Sequence, residues 1–280
     1  MNWQYTPYLF PVLGAGAIST TLAVIASRKR TSVSALPFMA MMIAVAYWSF
    51  CYAIELSSTQ LATKVLWSKI MYPGIAITPA TWLIFALYQT GRGHWFTRRN
   101  WWWWTIEPIA VIALAWTNNA HRMIWTDNRL VQEGGIVVQV VDHGPLFWVH
   151  AVYSYVGIAL GSFFLIKDAL GAGGLLRSQT WLMLVAISAP WIGNALYLSG
   201  LSPSNLDLTP FAFTLTGLGL AAALFRFGLL EIVPIARSRV VDTISDGVLV
   251  LDSDHRLVDI NPAAAAVIGR PISELIGQPS

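Results

Sequence analysis

Seven long apolar stretches, separated by polar connections, dominate the pattern of residues along the chain. Each is about 17–23 residues long, the length at which a helix rising about 1.5 Å per residue crosses roughly 30 Å of hydrocarbon. In lipid, backbone groups must pair within their own segment, so the stretches predict transmembrane helices. Barrel strands would be about ten residues long and would alternate in polarity. The stretches are residues 8–26, 33–54, 66–88, 101–117, 146–166, 179–199 and 208–229.

Charged residues are scarce and lie almost entirely outside these stretches. Only 11% of the 280 residues are charged and 56% are hydrophobic, whereas an ordinary soluble domain has about 25% charged residues. Inside the apolar stretches, the charged residues are Lys69, Glu107 and Arg226. This composition excludes a disordered chain and argues against a soluble enzyme. We therefore expect an all-α, multi-pass protein of the inner (plasma) membrane, with a bundle of seven helices.

The basic residues alternate in number from one connection to the next. The positive-inside rule places connections rich in Lys and Arg in the cytoplasm. Most of these residues follow the odd-numbered stretches or, for Arg226, lie near the end of one: Arg28, Lys29, Arg30, Arg92, Arg98, Arg99, Lys167, Arg177, Arg226, Arg237 and Arg239. Fewer belong to the connections after the even-numbered stretches: Lys64, Arg122 and Arg129, with Lys69 just inside the third stretch. We therefore predict that the N-terminus lies outside and the C-terminus in the cytoplasm, as an odd number of crossings also requires.

The outer connection between the fourth and fifth stretches is the only long one. It contains two short runs, Arg129–Glu133 and Ile136–Val141, joined by Gly134-Gly135. A Gly-Gly pair between two such runs is typical of a tight β-hairpin. We predict a small outer hairpin, with a loop without regular structure as the alternative.

Beyond Leu229 the chain is patterned like part of a water-soluble domain. Residues 1–230 form the predicted membrane domain, and residues 231–244 predict a connecting signalling helix with Pro234 at its start. In residues 245–280, Asn261 caps a helix and Pro262 fills its first position. The predicted elements are strands at 246–252 and 256–260, a turn at 252–254, a helix to 268 and a last turn at 273–276. Since two strands and a short helix cannot bury a core, we expect an incomplete domain; a tail without a fold is the alternative.

The runs 244–252, 256–264 and 268–279 carry a resemblance to a known fold. They contain Asp-Gly-Val-Leu-Val-Leu-Asp followed at a typical spacing by Asp-Ile-Asn-Pro, and are similar to the opening half of a PAS domain. The later helix and three strands of that fold are not in the pattern. The resemblance therefore implies an incomplete ligand pocket, and we expect no haem or flavin in this chain.

Several motifs in the membrane part occur in an order that also carries a resemblance to a known family. They are Leu66-Trp-Ser-Lys69, Tyr72-Pro-Gly74 with Pro79, Thr117-Asn118 with His121 and Trp125, His143-Gly-Pro-Leu-Phe-Trp148, and Tyr153-Ser-Tyr155. With the outer hairpin and the following PAS segment, residues 8 to about 229 resemble the seven-helix N-terminal sensor region of bacterial and archaeal histidine kinases, which also precedes diguanylate cyclases. The resemblance implies a sensor of an extracellular or intramembrane signal that acts on a cytoplasmic transmitter.

Polar and aromatic side chains recur in the outer halves of several stretches. Such side chains can line a pocket with apolar bodies and hydrogen-bonding tips, although helix packing and an outer aromatic belt are the alternative. Asn194 follows Pro190 by one turn, so it could satisfy the carbonyl that proline frees, or bind ligand. With the intramembrane Glu107, the candidate ligand-binding residues are Trp48, Tyr52, Tyr72, Glu107, His150, Tyr153, Trp191, Asn194 and Tyr197.

Glu107 is the most unusual of these candidates. A carboxylate at the centre of the bilayer costs about 2.5–3.5 kcal/mol on insertion scales, so it should face other helices or a wet cavity. We interpret it as a signal- or proton-sensitive group. A buried structural hydrogen bond, or hydration near the inner interface, is the alternative.

Other polar residues have simpler interpretations. Lys69 and Glu55 flank the outer ends of the third and second stretches, where a snorkelling lysine or a surface ion pair is expected. Trp101–Trp104 follow a basic run and predict an aromatic belt at the inner surface. His121 and His143 are too few for a zinc site, which takes three or four ligands, so we expect no metal.

The patterns favour a receptor module over other membrane proteins. A retinal protein needs a lysine in its last helix, and residues 208–229 contain none. No catalytic motif is visible, so enzyme status stays open. The resemblance implies that the full-length protein is a sensor histidine kinase or, as the second choice, a diguanylate cyclase. A transporter with a PAS regulator, or an anchor that dimerises an enzyme, is the alternative.

We expect the protein to form a homodimer, to respond to a small-molecule or membrane signal, and to bind no nucleic acid. ATP and a response regulator are expected only if a kinase domain follows.

Overall fold

The computed structural model describes residues 3–29, 32–97, 99–171, 174–230, 244–251, 257–269, 275 and 278. The chain divides into two compact units, Met1–Leu230 and Glu231–Ser280. Several features of the sequence lie outside the described residues: Arg30, Arg98, Arg237, Arg239, all of the connecting helix before Ile244, the turn at 252–254, and most of the turn at 273–276.

The first unit is a helical bundle with one β-hairpin. Among the residues described, six of its helices are long and apolar enough to cross a membrane. They are α1 (Leu9–Arg28), α2 (Ala35–Ser57), α3 (Leu61–Gln89), α6 (Pro145–Gly171), α7 (Gly174–Leu198) and α8 (Thr209–Phe227).

The fourth predicted crossing is shorter than the sequence pattern indicated. It forms α4 (Trp103–Trp116), of 14 residues, followed by the single turn α5 (Asn118–His121). At about 1.5 Å per residue α4 is near 21 Å long, which is less than the hydrocarbon thickness. Trp101 and Trp102 precede the helix as a turn, so hydropathy alone overestimated its length. The exposed rings of Trp102 and Trp103 stack with 4.2 Å between centroids.

Several helices extend beyond the apolar stretches that predict them. α3 begins at Leu61, which brings Lys64 into its first turn, and α2 continues past Glu55 to Ser57. At the other end, α6 continues through Lys167. Polar helix ends project beyond the hydrocarbon, so an apolar window detects the middle of a helix better than its ends.

The long helices pack as a ring in the order α1, α2, α3, α6, α7, α8, and α8 closes it against α1. The short α4 lies outside this ring, against α3 and α6. Gly74 of the Tyr72-Pro-Gly motif lies where the backbone of α3 packs directly against α2. A Cβ added there would lie 2.8 Å from the carbonyl oxygen of Ala44 and from Trp48 Cβ.

The predicted hairpin is confirmed and is longer than expected. β1 (Trp125–Glu133) pairs antiparallel with β2 (Ile136–His143), with Glu133 opposite Ile136. Gly134 and Gly135 have φ of +59° and +81°, the positive values that a type I′ turn requires and that glycine adopts without strain.

Two side-chain amides fix the hairpin on the bundle. The Asn118 Oδ1 atom accepts the N–H groups of Ile124 and Trp125, each at 3.0 Å, and its Nδ2 donates to the Trp125 carbonyl at 2.9 Å. Gln4, before α1, donates to the carbonyls of Leu56 and Val137 and accepts the Val137 N–H, all at 2.8 Å. The hairpin is therefore held at both of its strands.

The second unit follows its sequence pattern over the part that is described. β3 (Leu249–Leu251) pairs antiparallel with β4 (Leu257–Ile260), and α9 (Pro262–Ile268) follows. Asn261 caps α9 as expected: its Oδ1 accepts the Ala264 N–H at 2.9 Å. The same oxygen accepts the Val248 N–H at 2.9 Å, which ties β3 to the helix start.

Candidate functional site

Two adjoining cavities open inside the helix ring, beneath the hairpin. The outer cavity, of about 120 Å³, lies among α2, α3, β1, β2, the start of α6, the end of α7 and the loop before α8. The inner cavity, of about 110 Å³, lies deeper among α2, α3, α6, α7 and α8. Their walls share Trp48, Ile75, Phe147 and Asn194. We call the two together the chamber.

The outer cavity combines aromatic rings with charged groups. Lys64 is fully buried, and its ammonium donates to the Glu55 carboxylate at 3.0 Å and to the Glu55 carbonyl at 2.9 Å. The expected pairing of Glu55 with Lys69 is therefore wrong. Lys69 instead donates to Asn119 Oδ1 at 3.1 Å. The reason is the early start of α3, which places Lys64 opposite the end of α2.

Asp207 and His143 complete the polar part of the outer cavity. Asp207 lies in the loop before α8, where its Oδ1 accepts the Thr209 N–H at 2.9 Å. Burial raises the pKa of the Asp207 carboxyl. Burial also lowers the pKa of His143 to about 4, so His143 is neutral at pH 7. The net charge of this cavity at neutral pH depends on Glu55, Lys64 and Asp207.

The inner cavity is mainly apolar, with Asn194 at its junction with the outer one. The Tyr155 hydroxyl donates to Asn194 Oδ1 at 2.9 Å, and Asn194 Nδ2 lies 3.3 Å from Thr209 Oγ1. Asn194 thus links α6, α7 and the start of α8. The indole N–H groups of Trp48 and Trp191 are buried in this region and have no hydrogen-bond partner among the described residues.

Asn194 does not satisfy the carbonyl freed by Pro190. Since a proline has no N–H, the free acceptor is the carbonyl of Ala186, four residues earlier. The Thr216 hydroxyl of α8 donates to it at 2.8 Å. That expectation for Asn194 is wrong because the unpaired carbonyl faces the neighbouring helix α8.

Glu107 of α4 and His150 of α6 form a hydrogen-bonded pair within the membrane part. Glu107 Oε1 lies 2.6 Å from His150 Nδ1, and His150 is only 5% exposed. His150 Nε2 lies 3.4 Å from Ser154 Oγ, and its ring stacks on Tyr153. Glu107 Oε2 is buried without a partner among the described residues. The pair joins α4, which lies outside the helix ring, to α6, which forms a wall of the chamber.

The structure brings most of the candidate ligand-binding residues together. Glu107 and Tyr153 lie behind His150 and do not line either cavity. Those that line the chamber are Trp48, Tyr52, Tyr72, His150, Trp191, Asn194 and Tyr197. Sequence reasoning missed several others that do: Glu55, Lys64, Trp125, Gln139, His143, Phe147, Tyr155 and Asp207. Trp125, His143, Phe147 and Tyr155 lie in the motifs that carried the family resemblance, which was an available signal.

The fold and the chamber define a polytopic helical membrane protein with a buried cavity near one end. The model of the N-terminal 7TM region of histidine kinase matches residues 11–234, and the PAS fold matches residues 236–280. The chain therefore belongs to the family of N-terminal seven-transmembrane regions of histidine kinases, and both resemblances are confirmed. No curated protein matches the sequence. The chain is a membrane sensor module joined to a PAS segment.

Proposed function

We propose that the chamber is the input site of this sensor for an extracellular or intramembrane small molecule. In this proposal the signal passes through α8, the predicted connecting helix and the PAS segment to a downstream transmitter. That transmitter is a histidine kinase as the first choice and a diguanylate cyclase as the second. The observation that carries the proposal is the chamber itself, with polar tips and apolar walls inside a helix ring. Binding sites for small molecules commonly combine a concave apolar wall with a few placed polar groups.

The orientation that we propose has the N-terminus outside and the C-terminus in the cytoplasm of the inner (plasma) membrane. The hairpin, Gln4 and the end of α2 meet at one end of the bundle. Arg92 and Asp168 pair at 3.0 Å between the α3–α4 connection and α6, at the other end. That second end carries most of the described basic residues, which supports its placement in the cytoplasm.

Hydrogen bonds connect the chamber to α8, the last helix before the PAS segment in the sequence. Thr209 at the start of α8 contacts Asn194, and Thr216 farther along α8 binds the freed Ala186 carbonyl of α7. A ligand shifts an equilibrium only if it binds two helix arrangements unequally. A molecule that moves Asn194 changes the contacts of α7 with α8, and α8 leads toward the PAS segment. We propose that the protein works as a homodimer, with a response regulator as partner of the kinase.

The test uses the full-length protein in its native membrane. Residues 1–230 are exchanged for an unrelated membrane anchor of the same topology, and phosphorylation of the downstream transmitter is followed under conditions that switch the native protein on and off. The proposal predicts that the exchange abolishes switching while the protein stays in the membrane. Switching that survives the exchange would show that residues 1–230 serve only as a membrane anchor. Saturable uptake of solute by the intact chain in liposomes would show a transporter.

A further inference from the structure

The charges around the outer cavity do not balance. Glu55 and Lys64 neutralise each other through a direct ion pair of 3.0 Å. Asp207 lies close enough to Glu55, Tyr52 and Tyr197 to interact with each electrostatically. Within the described residues, only Thr209 stabilises the charged form of Asp207, through hydrogen bonds. One carboxylate therefore faces the cavity without a cation.

The surroundings of this carboxylate are aromatic. The rings of Trp48, Tyr52, Tyr72, Trp125, Phe147 and Tyr197 line the same outer cavity. The faces of such rings attract cations, most strongly where water is excluded. A carboxylate in a cavity lined by aromatic rings can accommodate an ammonium group, because the charge pairs with the carboxylate while the alkyl part contacts the rings.

We infer that the chamber binds a small organic cation, with its ammonium group at Asp207 and its apolar part against the aromatic wall toward the inner cavity. This inference rests on the proposed input role of the chamber and names the chemical class of its ligand. A metal ion fits less well, since hard cations take six or more oxygen ligands. The described residues hold no group of three or more metal-ligating side chains.

Two further observations agree with an ammonium ligand. Burial raises the pKa of the Asp207 carboxyl, so its ionised form is costly and gains stability from a cation placed beside it. His143, which also lines the outer cavity, is neutral at pH 7 because burial lowers its pKa to about 4, so it does not repel a cation. The cavities, of about 120 and 110 Å³, limit the ligand to a small molecule.

The experiment compares three probes of similar size and different charge on the intact chain in lipid nanodiscs. They are phenethylamine, 2-phenylethanol and phenylacetate, and binding is measured by calorimetry and by quenching of tryptophan fluorescence. We expect the amine to bind about tenfold or more tightly than the alcohol, the factor that one charge-assisted hydrogen bond supplies. Phenylacetate should bind weakest. This comparison needs no variant.

Asp207→Asn keeps the acceptor for the Thr209 N–H and removes the charge, so it should abolish the preference for the amine. Asp127→Asn, on the exposed part of the hairpin, is the matched control and should keep that preference. Equal binding of alcohol and amine, an unchanged preference in Asp207→Asn, or binding of none of the three would overturn the cation site. If the neutral or anionic probe binds and Ala151→Trp in the inner cavity blocks it, the input role of the chamber stands and only the ligand class falls.

Discussion

The Thr216 hydroxyl of α8 lies 2.8 Å from the carbonyl oxygen of Ala186 in α7 and donates a hydrogen bond to it. Pro190 leaves that carbonyl without its partner inside α7, so a neighbouring helix supplies the donor. The same pair of helices meets again at Asn194 and Thr209. A proline in one helix therefore creates a specific contact with α8, the helix that precedes the PAS segment in the sequence.

Thr216→Val keeps the shape of the side chain and removes the donor. We expect it to lower the free energy of unfolding by about 1 kcal/mol, since a buried carbonyl loses its partner. Thr216→Ser, which keeps the hydroxyl, is the control and should lose less than half of that. Unfolding of the purified chain in mixed micelles measures both. Equal stability of the Val variant and the native chain would mean that the bond contributes nothing.

The pair formed by Glu107 and His150 should behave as one unit. We expect His150→Leu to lower the free energy of unfolding by about 2–3 kcal/mol, because it leaves a carboxylate in the membrane part without its partner. The double variant Glu107→Leu with His150→Leu should lose less than the two single variants together. A double-mutant cycle in micelles gives the coupling, expected to be about 1 kcal/mol or more. Simple additivity would show that the 2.6 Å contact is not energetically significant.

Asn118 should control the order of the hairpin. Asn118→Ala removes the bonds to Ile124 and Trp125, so the amides of those residues should exchange hydrogen faster. We expect exchange to accelerate about tenfold or more, since each lost bond contributes about 1 kcal/mol. Asn118→Asp keeps the acceptor and loses only the donor to the Trp125 carbonyl. Its exchange rate should therefore lie between those of the native chain and Asn118→Ala. Unchanged protection in the Ala variant would mean that Gln4 and the bundle hold the hairpin alone.

The sequence predicted the elements better than their partners. Hydropathy sums over about twenty residues, so the six long helices were visible, whereas the 14-residue α4 was overestimated by including its flanking Trp residues. The hairpin and the start of α9 were visible because Gly134-Gly135 and Asn261-Pro262 act through local backbone geometry.

Pairings between helices depend on how each helix is rotated and on where it begins and ends. A hydropathy pattern along a single sequence does not contain this information. The choice of Lys64 over Lys69 as partner of Glu55 follows from the start of α3 at Leu61, before the apolar stretch begins. Thr216 was missed because its partner carbonyl belongs to another helix. Asp207 was missed because it lies in a short loop just before the last apolar stretch.

The predicted orientation can be checked with reporter fusions. Fusions after Arg30, Arg99 and Leu175 should report a cytoplasmic location, because those connections carry most of the basic residues. Fusions near Gln60, Gly134 and Ser204 should report the outside. Alkaline phosphatase, active only outside the cytoplasm, and a fluorescent protein, bright only inside, give complementary signals. A cytoplasmic Gly134 would invert the orientation and place the hairpin and chamber on the wrong side for an external signal.

The most direct measurement of the central claim is to fill the chamber in the full-length protein and follow its output. Ala151 lines the inner cavity and is 9% exposed, whereas its neighbour Val152 is 64% exposed and faces away from the bundle. Ala151→Trp places an indole in the cavity, and Val152→Trp adds a similar ring on the lipid-facing side as the control. If the chamber receives the signal, transmitter phosphorylation in Ala151→Trp stays fixed at one level under conditions that switch the native protein and the Val152→Trp control on and off. Normal switching in Ala151→Trp, with the protein present in the membrane at native levels, would contradict the account.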